Sequence, residues 1–224
     1  MKTISIISIL ALMTLISCGK NGGGSNSSQQ EQLEPVTDGV YHAVLRPFNT
    51  QASGYLPTGT ATFTVKGDNF QAKTLLDDDA RVTHRQSVHF GTRCPNNEQD
   101  DKNGDGYVDY AEAMAVVGKV IIPLDNDLSS QAGGANVYPK GTGFTYTRST
   151  SISRLNADLW MADEDGSDDI AKLGSGENVG INNRVVLIHG AAVKSTFPVS
   201  LAARAGEAAN LSLPIACGVV RKVN

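Results

Sequence analysis

A chain of 224 residues, 40% hydrophobic and 19% charged, has the composition of an ordinary globular protein and room for one domain beyond an N-terminal leader. Its formal net charge of −4 argues against a broadly basic nucleic-acid-binding surface. The charge is uneven. Asn97 to Glu112 carries −5, with Glu98, Asp100, Asp101, Asp105, Asp109 and Glu112 set against Lys102, and the remainder sits near +1.

Residues 1–17, MKTISIISILALMTLIS, open with Lys2 and continue as an apolar run too short for an ordinary membrane-spanning helix, the pattern of an export signal. The run ends in Leu15-Ile16-Ser17-Cys18-Gly19, which resembles a bacterial lipobox, where the cysteine takes the lipid. Lipidation at Cys18 implies a membrane-anchored protein of the bacterial cell envelope. Gly19, in place of Asp, points to the outer membrane. Residues 18–37 are rich in Gly, Ser, Asn and Gln and bury too little apolar surface to fold, so they read as a tether with a mean reach of roughly 25 Å.

From Asp38 to the end, short runs of alternating, β-branched and aromatic residues predict strands separated by turns. YHAVLRPF (41–48) is the first. GTATFTVKGDNFQAKTLL (59–76) is a hairpin, with Ala61, Phe63 and Val65 alternating against Thr60, Thr62 and Thr64 and a turn at Gly67-Asp68. Asp77-Asp78-Asp79 reads as a solvated turn. Strands follow at 81–90, 119–124, 143–150, 183–190 and 213–223, and YAEAMAVV (110–117) is the single predicted helix. The fold class is therefore all-β, an antiparallel sandwich or barrel with one short helix.

The most specific motif is D-K-N-G-D-G-Y-V-D-Y-A-E, Asp101 to Glu112, which fits the twelve-residue EF-hand calcium loop. Calcium takes six to eight oxygens. Asp101, Asn103 and Asp105 supply side chains, Gly106 the sharp turn, Tyr107 its carbonyl, Asp109 a water-mediated contact and Glu112 two oxygens, while Val108 anchors the loop to the core. Residues 94–100 are too turn-like for an entering helix, and no second loop pairs with this one. The motif thus reads as a structural calcium clip, unlike a sensor that opens and closes. Asp163 to Asp169 is a weaker acidic cluster without EF-hand spacing. In an exported protein the two remaining cysteines, Cys94 and Cys217, predict a disulfide.

Thr83-His84-Arg85-Gln86-Ser87-Val88-His89-Phe90-Gly91 with Cys94 resembles the copper-strand segment of Cu/Zn superoxide dismutases. Arg184 to Gly190 with His189 resembles the later strand that brings another copper histidine, and Ala216-Cys217-Gly218-Val219-Val220 the last strand with the second disulfide cysteine. Asp163 to Ile170 resembles the family's Asp-Gly turn. The hairpin followed by a histidine strand is also similar to chordin-type CHRD domains. Both resemblances imply a β-sandwich, and the first implies Greek-key topology.

The departures bear on function. The dismutase site uses six histidines and an aspartate, and this chain has four histidines. His89 and His189 fall on copper positions, Ser87 replaces another, no bridging histidine is found, Asp158 matches the zinc aspartate without its partners, and Pro214 stands where the guiding arginine belongs. His42 and His84 read as ordinary strand histidines. The expectation is a lipid-anchored, calcium-binding, non-enzymatic protein with a superoxide-dismutase-like fold and a structural or interaction role. It binds the membrane through Cys18, takes no nucleic acid, and its residues name no protein partner. The alternative is a copper-binding protein or divergent dismutase using His89 and His189.

Overall fold

The computed structural model describes residues 34–50, 54, 56–129, 137–161, 170–174, 176–192 and 197–223. The export signal, Cys18, most of the tether and the Asp163 to Asp169 cluster lie outside the described residues. The elements are β1 (Gly39–Pro47), β2 (Thr58–Lys66), β3 (Asn69–Asp77), β4 (Val82–Thr83), β5 (Gln86–His89), α1 (Asn97–Asp100), α2 (Tyr110–Val117), β6 (Val120–Pro123), β7 (Lys140–Gly141), β8 (Phe144–Ser151), α3 (Ile152–Met161), β9 (Val185–His189), α4 (Ala209–Ser212), β10 (Pro214–Val219) and β11 (Arg221–Val223).

Alternation builds the first half of the sheet. In β2, Ala61, Phe63 and Val65 turn inward, as do Phe70, Ala72 and Leu76 of β3 and Tyr41, Ala43 and Leu45 of β1. Phe63 and Phe70 stack at 5.8 Å across the hairpin, and burying each contributes about 1.5 to 3 kcal/mol. The strand order is β6-β5-β9-β10-β1-β2-β3-β8, with β11 also on β1, and these strand pairs are antiparallel. β1 meets β10 at Arg46 and Pro47 but β11 at Val40 to His42, so the closing strand, interrupted at Val220, joins two half-sheets. The result is a curled antiparallel half-barrel around one main core.

Several expected elements divide or multiply. The strand expected at 81–90 breaks at His84-Arg85, because β4 leaves to pair with β7 and the His84 amide donates to the Pro139 carbonyl. A single turn, α1, precedes the acidic loop, where no helix was expected. The Asn96 side chain caps it, and Asp100 receives both Arg93 guanidinium nitrogens at 2.7 and 2.9 Å. Helix α3 is also additional to the expected one. Its start is capped from the β2–β3 turn, where Asp68 accepts from the Ser153 amide and hydroxyl, each at 2.8 Å. Asp78 is not solvated. It is 6% exposed and its carboxylate stands 3.6 Å from the His84 ring. Val36 and Thr37, at the end of the stretch read as tether, are already fastened to Val179 and to the Tyr41 hydroxyl.

The outer face of β5, β9 and β10 carries a second layer. Val185, Leu187 and Cys217 from the sheet pack with Phe48 and with Val108, Ala113 and Val117 of the segment between β5 and β6. Two devices hold that layer down. Cys94 and Cys217 are disulfide-bonded across a separation of 123 residues. Gly91 lies so close to α2 that a Cβ there would stand 2.7 Å from the Val117 Cα, so only glycine admits this approach.

Candidate functional site

The loop layer holds the residues singled out for calcium. Gly104 and Gly106 have φ of +72° and +93° with open space around them, so backbone conformation alone calls for glycine there. The resulting turns aim amides at the acidic side chains. Asp101 accepts from the amides of Gly104, Asp105 and Gly106 at 2.8, 3.2 and 2.8 Å. Asn103 and Asp105 accept from the amides of Asp105 and Tyr107 at 2.9 and 3.0 Å.

Glu112 closes the ring. Its Oε1 accepts from the Lys102 and Asn103 amides at 2.6 and 3.1 Å, and its Oε2 from the Asp109 amide at 3.1 Å. Asp109 reciprocates as the cap of α2, accepting from the Glu112 amide at 3.1 Å, which forms a capping box. Its other oxygen accepts from Ala202, and Ser200 donates to Asp105, tying the loop to the chain before α4.

The donor set fits a hard cation. It consists of oxygens alone, and each carboxylate oxygen that accepts an amide keeps further lone-pair capacity. Among the described residues, however, no three His, Cys, Asp or Glu side chains are grouped as a metal cage. The carboxylates are spread over the amides of the ring.

Asn49, which carries no motif, fastens the loop at Val108. Asn49, 1% exposed and with φ of +53°, donates from Nδ2 to the carbonyls of Val108 and Pro214, both at 2.9 Å. Its Oδ1 accepts from the Val108 amide at 2.9 Å and from Asn97 at 3.1 Å. A single side chain thereby links the loop, α1 and β10. The left-handed backbone that Asn tolerates is its only local signal.

The copper candidates are arranged differently. The β5–β9 register sets His89 opposite Val185, and the His189 amide donates to Arg85. The two histidines are thus four residues apart along paired strands, and His89 still acts electrostatically on the His189 ring. His89 Nδ1 meets the Gly118 carbonyl at 2.9 Å and Nε2 the Ser87 hydroxyl at 2.8 Å. Because a carbonyl only accepts, Nδ1 carries the hydrogen and Nε2 accepts from Ser87. Both ring nitrogens are committed.

His189 Nδ1 donates to Ser212 at 2.7 Å, and its Nε2 lone pair is buried without a hydrogen bond. Complete burial, with Arg85 next in importance, pushes the His189 pKa well below the usual histidine value. These two residues do not fit a copper centre. Ser87 donates to His89, and Pro214 sits opposite His189 in the β9–β10 register. Asp158 lies on α3, where burial raises its carboxyl pKa and its charged neighbours are Arg154 and Asp127. His84 is fully buried against the carbonyls of His189, Ala80 and Gly141, and His42 is half-buried on β1.

Neither protein-family models nor curated proteins provide a match to the chain.

Asn49→Ala removes four hydrogen bonds, three of them buried, and strands the Val108 and Pro214 backbone groups, so it should cost about 2 to 4 kcal/mol, read as a lowered urea midpoint. A loss under 0.5 kcal/mol would mean that Asn49 does not fasten the loop. His189 generates a pH effect. The unfolded histidine takes a proton near 6.5 and the folded one only well below that, so the unfolded state binds more protons as pH falls. Stability should therefore decline below pH 6.5, by up to about 1.4 kcal/mol per unit from this group. His189→Asn retains a donor for Ser212 and should remove that component, whereas parallel profiles for wild type and variant from pH 7.5 to 5 would contradict it.

Proposed function

We propose that this is a lipid-anchored protein of the bacterial cell envelope in which calcium at Asp101, Asn103, Asp105, Tyr107, Asp109 and Glu112 rigidifies the loop layer on a superoxide-dismutase-like β-sandwich. Its role is structural or one of interaction, without catalysis. The observation that carries the reading is the closed ring itself, twelve residues joined head to tail by Glu112 and seated on the sheet through Val108 and Asn49. Calcium would draw together the carboxylates of Asp101, Asp105, Asp109 and Glu112, whose mutual repulsion opposes the ring without it.

Strand order supports the fold assignment. After the β1–β2–β3 meander the chain leaves for β5 and β6 at the far side of the sheet, returns as β8 beside β3, and crosses again to β9 between β5 and β10. Such crossings are of Greek-key kind. The link from β5 to β6 carries both Cys94 and the acidic loop, in keeping with the resemblance. The committed ring nitrogens of His89 argue for a protein without redox copper, its histidines kept as packing residues.

Calcium binding only the folded chain should raise stability by about 2.7 kcal/mol at one hundred times the dissociation constant. The melting temperature should be higher in millimolar calcium than in chelator, and Glu112→Gln should abolish most of the difference. Identical melts in calcium and chelator would refute the calcium site. The anchor is tested separately. Cys18→Ser should block lipid attachment and the usual lipoprotein cleavage, since no other residue at the junction forms the thioether and more than one acyl chain on one terminus suffices for stable anchoring, whereas unmodified mature protein found wholly in the soluble fraction of wild-type cells would exclude the anchor.

A further inference from the structure

A cavity of about 410 Å³ opens where the β4–β5 crossing, the approach to β7 and the turn before α4 converge, and its walls include Thr83, Arg85, Tyr138, Arg204 and Glu207. Cavities of this size take small organic ligands. The lining is uncommon in its charge, with two guanidiniums against one carboxylate. Arg85 is 8% exposed, an arginine placed in the wall of the fold, with its guanidinium 5.7 Å from the Tyr110 ring centre. Arg204 lies 3.4 Å from Glu207, whose other oxygen accepts from the Ser212 hydroxyl at 3.2 Å.

Glu207 is thus shared between Arg204 and Ser212, and the lining brings both guanidiniums to one cavity. Arg85 and Arg204 both act on the buried His189 ring, and both act on Tyr138 together with the Asp125 carboxylate, so the two guanidiniums face one region. Two planar guanidiniums with a phenol and a threonine hydroxyl make a donor-rich set that suits a planar or tetrahedral oxyanion.

We propose that this cavity is a binding site for a small ligand headed by an oxyanion, a carboxylate or a phosphate, held between Arg85 and Arg204, with the Tyr138 and Thr83 hydroxyls as further polar contacts. The site is separate from the acidic loop and stands whether or not that loop takes calcium. An anion here meets the two guanidiniums of the lining, and the partly enclosed walls preserve the attraction from the screening that weakens surface pairs.

The experiment uses the mature protein and two probes, inorganic phosphate and acetate, titrated at constant ionic strength against a chloride control and followed by calorimetry and by backbone NMR shifts. Saturable binding of at least one probe is expected, with shifts centred on residues 83–85, 138 and 204–207, and the preferred probe reports the kind of oxyanion. Arg204→Gln should weaken binding by about tenfold, as loss of one charge-assisted contact implies. Arg85→Lys keeps the charge but loses the planar fork and should weaken it comparably. Arg154→Gln removes an exposed cation paired with Asp127 elsewhere and should change nothing. Near-UV circular dichroism establishes that each variant is folded, and Tyr138→Phe provides a second variant if Arg85→Lys is not. No saturable binding of either probe, or equal affinity in wild type and Arg204→Gln, would overturn the proposal.

Discussion

Strand β9, Val185-Val-Leu-Ile-His189, is buried at every position, and that condition governs the rest of the molecule. A strand that alternates apolar with polar residues needs a core on one face only. Here both faces are apolar, so a second layer must cover the outer one or the sheet would expose Val185 and Leu187 to water. The main core takes Val186 and Ile188 on the inner face. The outer cover comes from the excursion between β5 and β6, which includes the acidic loop and α2. Without that excursion the half-barrel would present an open apolar surface.

Covering a sheet with a loop is harder than covering it with a long helix, because a loop brings unpaired backbone polar groups with it. The chain meets this in three ways. The acidic side chains take up amides inside the loop, Asn49 serves both backbone groups of Val108, and the disulfide shortens the unfolded chain. Closing a loop of this length stabilises by about 4 to 5 kcal/mol through lost unfolded-state entropy. The acidic loop, followed by one full helix, fits this task, and Val108 packs into the layer it stabilises.

The buried histidines His84, His89 and His189 are hydrogen-bonded within the packing. His84 sits among carbonyl groups, His89 joins Gly118 to Ser87, and His189 is held by Ser212 with its other nitrogen enclosed. An imidazole used in this way gives shape and a directed hydrogen bond at the expense of exchange with solvent ligands. The charged groups of interest lie beside them, where Arg85 and Arg204 line a cavity that faces outward.

The sequence by itself determined what depends on neighbours along the chain. Alternation in Thr60 to Val65 specified which face of β2 is buried, the Gly67-Asp68 pair placed the hairpin turn, and the spacing of oxygens from Asp101 to Glu112 marked the loop and the start of α2. These features are local, since period and turn chemistry act over a few residues. Tertiary structure decided the rest. Helix α3 was hidden because Asp68, 85 residues earlier, supplies its cap. Asn49 reads as an ordinary loop residue until Val108 and Pro214 arrive from 59 and 165 residues away. His89 and His189 match a metal pattern one at a time, yet strand register sets them four residues apart. Register and long-range capping are chosen by the burial of whole faces, a property of the assembled sheet that no short window of sequence contains.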